Sequence, residues 1–236
     1  MENLTIVVPM AGMGSRFSDA GYDTPKPFIN VGGEMMISRV IKTLNIPNAR
    51  YIFICQESHI TEERLLALES LGKNVSILCI SGYTEGAAIS VLQASGLFDM
   101  DSPMMILNSD QLLTIDVPKF FECVNQPDVD GAIVCFKSSG PNWSYVSVDS
   151  DNRITFVAEK VVISDTATAG AYFWKKSSDF VKSANAMIEK NERVKGEFYV
   201  APVYNQFVDS HKVVPFICES VIQLGTPEEL SLYVSN

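Results

Sequence analysis

Apolar residues along this chain fall into two recurring patterns: short unbroken runs, and stretches in which they return every three or four positions. Leu4–Val8 is nearly continuous, as expected of a strand covered on both faces within a parallel sheet. Ile37, Val40, Ile41 and Leu44 follow at helical spacing. Tyr51–Cys55 then predicts a strand, Thr61–Leu71 a helix, Val75–Ile80 a strand, Ala87–Ala94 a helix and Met104–Leu107 a strand. Repeated β-α units of this kind predict a parallel sheet with helices on both faces.

The pattern changes in the second half. Ala132–Phe136, Tyr145–Val148, Ile154–Ala158 and Ala169–Trp174 lie close together, with a turn at Asp149-Ser150-Asp151-Asn152, and predict antiparallel strands added to the same sheet. A helix from Ser177 to Lys190, another near Val203–Val208, and strands at Val213–Cys218 and Val221–Leu224 come next. Thr226-Pro227-Glu228-Glu229 supplies an N-cap, a proline at the first helical position and a capping-box glutamate for a last helix. No linker, charge block or repeat interrupts the chain. The expectation is one α/β domain over 1–236, with a mixed, mostly parallel central sheet flanked by helices. Its nucleotide-binding half would cover about 1–115 and its acceptor half about 116–236. Ligands in such sheets bind beyond the carboxyl ends of the parallel strands, which singles out the loops after Val8, Ile80 and Leu107.

Composition narrows the function classes. Of 236 residues, 47% are apolar and 19% charged, which excludes a disordered chain. A formal charge of −10 excludes a broad nucleic-acid-binding face but not a phosphorylated small molecule, which needs only a few placed cations. The five cysteines form no CxxC pair and read as small core residues in a reducing compartment. No basic leader with a long apolar run opens the chain, and no stretch approaches the roughly 20 apolar residues that span a bilayer. The expected setting is the cytoplasm, without a membrane partner.

The first of the three loops reads Pro9-Met10-Ala11-Gly12-Met13-Gly14-Ser15-Arg16-Phe17. Glycines after a strand let backbone N–H groups approach phosphate oxygens, although a plain structural turn has the same composition. The loop lacks the Walker A lysine and the third glycine of a dinucleotide fingerprint. Thr24-Pro25-Lys26-Pro27 adds a lysine between two prolines, expected to hold the chain extended and to limit where the ammonium can go. The bland alternative is an exposed loop with an incidental lysine.

With Pro25-Lys26-Pro27, the run Ala11-Gly12-Met13-Gly14-Ser15-Arg16 resembles the signature of the sugar-phosphate nucleotidyltransferases, the nucleoside-diphosphate-sugar pyrophosphorylases of GT-A-like fold. The resemblance continues in order through Asn108-Ser109-Asp110, Glu159-Lys160, Thr168–Phe173, Glu197-Phe198-Tyr199 and Gly225–Leu230. It implies attack by an acceptor phosphate on the α-phosphorus of a nucleoside triphosphate, with release of pyrophosphate. The implied partners are that triphosphate and a phosphorylated sugar-like acceptor, in a pathway to surface polysaccharide; a homodimer is compatible. Arg16 would hold the β- and γ-phosphates, Lys26 the α-phosphate, and Gly12, Gly14 and Ser15 would supply backbone donors, with Ala11 and Met13 beside them. Gly82, Glu85 and Gly86 would sit against the base, and Asp110 would bind Mg²⁺. For the acceptor, the resemblance implies Glu159 at hydroxyls, Lys160 at the phosphate and the Gly170 backbone facing the sugar, with Tyr145, Glu197, Trp143 and Tyr199 lining the same pocket. Adjacent residues such as Glu159 and Lys160 reach one ligand only where a strand ends or bends.

One departure is visible. Many relatives carry a second acidic metal ligand two positions before Gly225-Thr226, where this chain has Gln223. A GT-A glycosyltransferase and a catalytically idle nucleotide-sensing subunit are the competing readings. The glycine loop and Pro-Lys-Pro speak against the first, and retention of Arg16, Lys26, Asp110 and Lys160 against the second. His59 and His211 sit in no nucleophile motif, which leaves a Ser-His-Asp hydrolase without support.

Overall fold

An unbroken apolar strand is stable only between two apolar layers, and the sheet is built to that rule. In the computed structural model, which describes residues 4–235, the strands Met104–Leu107, Thr5–Pro9, Arg50–Gln56 and Val75–Ile80 lie side by side in that order, all parallel. Alternate residues of Thr5–Pro9 enter opposite cores. Ile6 and Val8 pack with Phe17, Ile37, Val40 and Phe120 on one face, and Val7 packs with Ile52, Ala88, Val91 and Phe180 on the other. Helices Met36–Leu44 and Val117–Val124 cover the first face; Ala87–Gln93 and Ser177–Glu189 cover the second.

The second half extends the sheet with antiparallel strands, as expected. Thr166–Trp174 is buried along its whole length and pairs antiparallel with Met104–Leu107, Gly131–Lys137 and Tyr145–Val148, shifting register between Thr168 and Tyr172. Ile154–Ala158 forms one edge beyond Tyr145–Val148, and Val213–Ile217 runs parallel to Gly131–Lys137. Trp174 stacks on Tyr204 at 4.0 Å between ring centroids, which fastens this extension to the segment after the long helix.

Three local expectations change. Ala201–Gln206 is a 3₁₀ helix and not an α-helix, with Pro202 at its start. Gln111–Thr114 is a strand that no pattern announced, and its antiparallel partner is Ser220–Gln223, outside the main sheet. The Pro-flanked lysine opens a 3₁₀ turn, Lys26–Phe28, in place of an extended stretch; Phe28 N–H donates to the Pro25 carbonyl at 2.9 Å. The last helix starts as read: Thr226 N–H donates to Glu229 Oε2 at 2.9 Å, and Glu229 N–H donates to Thr226 Oγ1 at 3.2 Å. Among the described residues no helix is long and apolar enough to cross a membrane.

Gln56 closes the strand next to Thr5–Pro9 and is buried. Its amide nitrogen donates to the carbonyls of Ala11 at 3.0 Å and Gly82 at 2.6 Å, so one side chain ties together the loops after Thr5–Pro9 and Val75–Ile80. Replacing it by an apolar isostere deprives both carbonyls of their donor. Gln56→Leu is expected to lower the unfolding free energy by about 1–3 kcal/mol, measured by urea denaturation. A loss near zero would show that solvent satisfies both carbonyls.

Candidate active site

The loops at the carboxyl ends of the parallel strands enclose two adjoining cavities. The larger, about 530 Å³, is lined by residues including Arg16, Asp110, Glu159, Lys160, Lys195 and Tyr199. The smaller, about 190 Å³, lies between Ala11-Gly12-Met13 and the Tyr83–Ala87 stretch, with Glu197 on its wall. Ala87 lines both, so the two are immediate neighbours.

Gly14 adopts φ +63°, a left-handed conformation that turns the chain from the glycine loop into the short helix Ser15–Asp19. A Cβ at Gly14 would lie 3.4 Å from Lys26 Cβ, which puts the glycine loop directly against the proline-flanked lysine. From there Lys26 Nζ reaches Asp110 Oδ2 at 2.7 Å, with both side chains about four-fifths buried (20% and 17% exposed). Arg16, by contrast, makes no ion pair among the described residues and points its charge at the larger cavity. Gly14 and Ser15 line neither cavity, and the Ser15 carbonyl accepts from Ser18 Oγ.

Asp110 follows the Met104–Leu107 strand, and its carbonyl accepts Leu224 N–H at 2.8 Å. That bond draws the last strand alongside. A Cβ at Gly225 would lie 3.2 Å from Asp110 Oδ2, 3.3 Å from Gln223 Nε2 and 3.4 Å from Glu229 Oε2, so these three side chains converge on one point. Among the described residues no group of three or more His, Cys, Asp or Glu is arranged to hold a metal by itself. With Glu229 Oε2 taken up by Thr226 N–H in the capping box, the donor set here is the Asp110 carboxylate and the Gln223 amide. It suits a hard cation that keeps its waters and arrives with phosphate oxygens, not a metal caged by protein alone.

Elsewhere along the larger cavity, the strand Ile154–Ala158 ends just before Glu159, and Lys160 takes φ +56°. That break is what lets two adjacent side chains line one cavity. Glu159 is buried, accepts from Ser144 Oγ, and has its carboxyl pushed above the ordinary range, chiefly by burial. Lys160 Nζ donates to the Tyr199 hydroxyl at 2.7 Å and sits 4.5 Å from that ring's centroid. Lys195 also lines the larger cavity and lies near enough to Glu159 to oppose part of that rise. No local pattern singles Lys195 out; its only signal is its place two residues before Glu197-Phe198-Tyr199.

Several candidates sit elsewhere than expected. Tyr145 is fully buried, lines neither cavity, and donates its hydroxyl to the Gly140 carbonyl at 2.6 Å, beneath the turn that carries Asn142 and Trp143 into the larger cavity. Gly170 stands behind the cavity wall, its carbonyl accepting Asn108 N–H at 2.8 Å. Glu197 faces the smaller cavity and not the larger one. The Glu85 carboxylate turns away from both to pair with Arg193 Nη2 at 2.7 Å, and Gly82 contributes its carbonyl to Gln56 rather than a surface to the cavity. Gly86, at φ +128°, lines the smaller cavity with its other side pressed against the Phe198 backbone.

Known structures share this arrangement of strands and helices. A nucleoside-diphosphate-sugar pyrophosphorylase from Vibrio cholerae RC9 superposes with a TM-score of 0.82 over 98% of this chain and 100% of that one, at 24% identity. The inositol-1-phosphate CTP transferase from T. maritima gives 0.76 over 99% and 95%, at 17% identity. HddC from Yersinia pseudotuberculosis gives 0.70 over 99% and 98%, at 15% identity. At these identities the likeness is one of fold. No curated protein matches the sequence significantly. The family model described as nucleotidyl transferase matches residues 6–213, from the first strand and its glycine loop through Asp110 and Lys160 to the parallel strand at Val213. The chain therefore belongs to the nucleotidyl transferase family.

Proposed function

We infer that this protein transfers a nucleoside monophosphate from a nucleoside triphosphate to a sugar 1-phosphate or a similar phosphorylated acceptor. Pyrophosphate is the second product, and the activated sugar-type compound is a precursor for surface polysaccharide. The observation that carries this reading is the larger of the two adjoining cavities, where several cations gather around one carboxylate. Arg16, Lys160 and Lys195 line the larger cavity together with Asp110, and Lys26 pairs with Asp110 at 2.7 Å. Two polyanions repel unless each is neutralised where it sits, and four cations in and beside one cavity supply charge for both. Two solved structures of the same fold are named as a nucleoside-diphosphate-sugar pyrophosphorylase and an inositol-1-phosphate CTP transferase, which supports this class of acceptor.

The chemistry asked of these residues is positioning and charge stabilisation. An acceptor phosphate oxygen forms a bond to the α-phosphorus as the bond from that phosphorus to the α,β-bridging oxygen breaks, and pyrophosphate leaves with the electron pair. The attacking oxygen is already ionised at neutral pH, so no side chain need remove a proton. Lys26 stands where the α-phosphate would sit and meets the charge that builds there, while Arg16 presents a planar fork to the β- and γ-phosphates. Glu159 accepts hydrogen bonds from acceptor hydroxyls; Lys160 and Lys195 hold its phosphate. Asp110, with Gln223 beside it, is the group that would hold Mg²⁺ together with phosphate oxygens and water. When bound, that ion screens charge between the reacting phosphates. A matrix of five nucleoside triphosphates against phosphorylated sugars and polyols, read by pyrophosphate release, tests the assignment. Nucleoside diphosphate released from a nucleotide sugar, with no pyrophosphate from any pair, would make the protein a glycosyltransferase instead.

Three substitutions probe the roles separately. Lys26→Ala is expected to lower kcat by roughly 10²–10³-fold with a much smaller change in triphosphate affinity, because its contact strengthens as charge shifts in the transition state. Turnover within a few-fold of wild type would remove Lys26 from the chemistry. Gln223→Asp gives the metal site a second carboxylate, so half-maximal activity should need less Mg²⁺ in titrations at fixed triphosphate. A raised triphosphate KM with unchanged Mg²⁺ demand would mean that the added charge meets phosphate instead, and no change in either would put Gln223 outside the site.

The third concerns pH. Burial holds the folded pKa of Glu159 above its free value of 4.5, so the native state binds that proton more tightly than the unfolded chain. The resulting stability is fully present below the free value and is lost as pH rises through the raised one. Glu159→Gln, which never ionises, should therefore gain stability relative to wild type across the window that opens as pH rises above 4.5, in ligand-free urea unfolding. Parallel curves across that window would show that Glu159 ionises in the fold at no cost.

A further inference from the structure

Residues 193–200 form the wall between the two cavities. Lys195, Tyr199 and Val200 face the larger, while Glu197 between them faces the smaller. The wall is joined to the Gly82–Ala87 loop by backbone contacts. Phe198 N–H donates to the Glu85 carbonyl at 2.8 Å, Ala88 N–H donates to the Phe198 carbonyl at 3.1 Å, and a Cβ at Gly86 would come within 2.6 Å of Phe198 N. One pair of side chains reinforces this seam. Arg193 Nη2 bonds Glu85 Oε2 at 2.7 Å, Nη1 donates to the Gly196 carbonyl at 3.1 Å, Nε donates to Asn191 Oδ1 at 2.7 Å, and the guanidinium lies 4.2 Å from the Phe198 ring centroid.

Neither Glu85 nor Arg193 lines a cavity. The Glu85 side chain is 66% exposed, so the ion pair adds little to global stability. Its geometry is another matter. A guanidinium held in four directions at once fixes the backbone from Asn191 to Phe198 relative to the loop.

We propose that Glu85 and Arg193 are positioning residues that couple the two cavities. A nucleotide that orders the Gly82–Ala87 loop orders, through this pair, the segment carrying Lys195 and Tyr199, and Tyr199 in turn holds Lys160 Nζ at 2.7 Å. The nucleotide thereby sets the acceptor-phosphate cations before the acceptor binds. This rests on the smaller cavity being the nucleotide site.

Hydrogen–deuterium exchange on the full chain tests it without an acceptor, using ATP, GTP, CTP, UTP and dTTP, each with MgCl₂, as probes. The triphosphate that slows exchange across Ala11–Arg16 should also slow the amides of 193–200 by roughly two- to five-fold, the scale of one exposed ion pair. Glu85→Arg should abolish the second effect and keep the first, Glu85→Gln should weaken it, and Glu85→Arg combined with Arg193→Glu should restore it. A purely structural role would not be rescued by the charge swap together with the transmitted protection. Protection that stops at Gly82–Ala87, or that persists at 193–200 in both Glu85 variants, overturns the coupling while leaving the proposed reaction in place. If none of the five slows exchange at Ala11–Arg16, the nucleotide reading fails, and the coupling fails with it.

Discussion

Strand Thr5–Pro9 hydrogen-bonds to Arg50–Gln56 on one side and to Met104–Leu107 on the other, because the chain fills one flank of the sheet before crossing back to the other. Helices pack both faces, so the loops leaving the carboxyl ends of these strands have only one edge on which to gather. Sheet hydrogen bonding ends there, and the loop carbonyls need other donors. The buried Gln56 amide serves two of them, and Leu224 N–H serves Asp110. Both cavities are therefore a by-product of strand order.

Electrostatics works on a finer scale than net charge. The chain carries −10 overall, yet Arg16, Lys160 and Lys195 face one cavity and Lys26 stands at its border. Without a ligand, these cations lean on what is close: Lys26 on Asp110, Lys160 on the Tyr199 hydroxyl and ring. Each such contact is one that a phosphate oxygen can replace with a charged acceptor, so the exchange leaves no buried cation unpaired.

Val75–Ile80, Met104–Leu107, Tyr145–Val148 and Ile154–Ala158 were legible to the residue, since each is a mainly apolar run bounded by polar or turn residues. Gln111–Thr114 was not. It is four residues long, opens with a polar side chain, and is held by a partner near the other end of the chain. The glycine loop, Lys26, Asp110, Glu159 and Lys160 were legible as residue types in order, and the fold brings them around the same pair of cavities. Side-chain direction was another matter. Glu85 turns to Arg193, Tyr145 to Gly140 and Glu197 to the smaller cavity because of partners distant in sequence, which local spacing does not encode. Gln56 and Lys195 were missed for the same reason: a polar residue at a strand end and a lysine in a charged turn look ordinary until their neighbours arrive.

Gln223, Thr226 and Glu229 close one side of the larger cavity, and the strand that carries Gln223 pairs with Gln111–Thr114. On a ribosome, the glycine loop and Lys26 emerge first and these three residues near the end. At roughly 5–20 residues per second, the interval between them is on the order of ten seconds or more. Gln111–Thr114 is made about midway through that interval and waits on the order of five seconds or more for Ser220–Gln223, its partner in the finished fold. A chaperone that shields an exposed strand edge would find its target there, in the unfinished chain rather than in the folded protein.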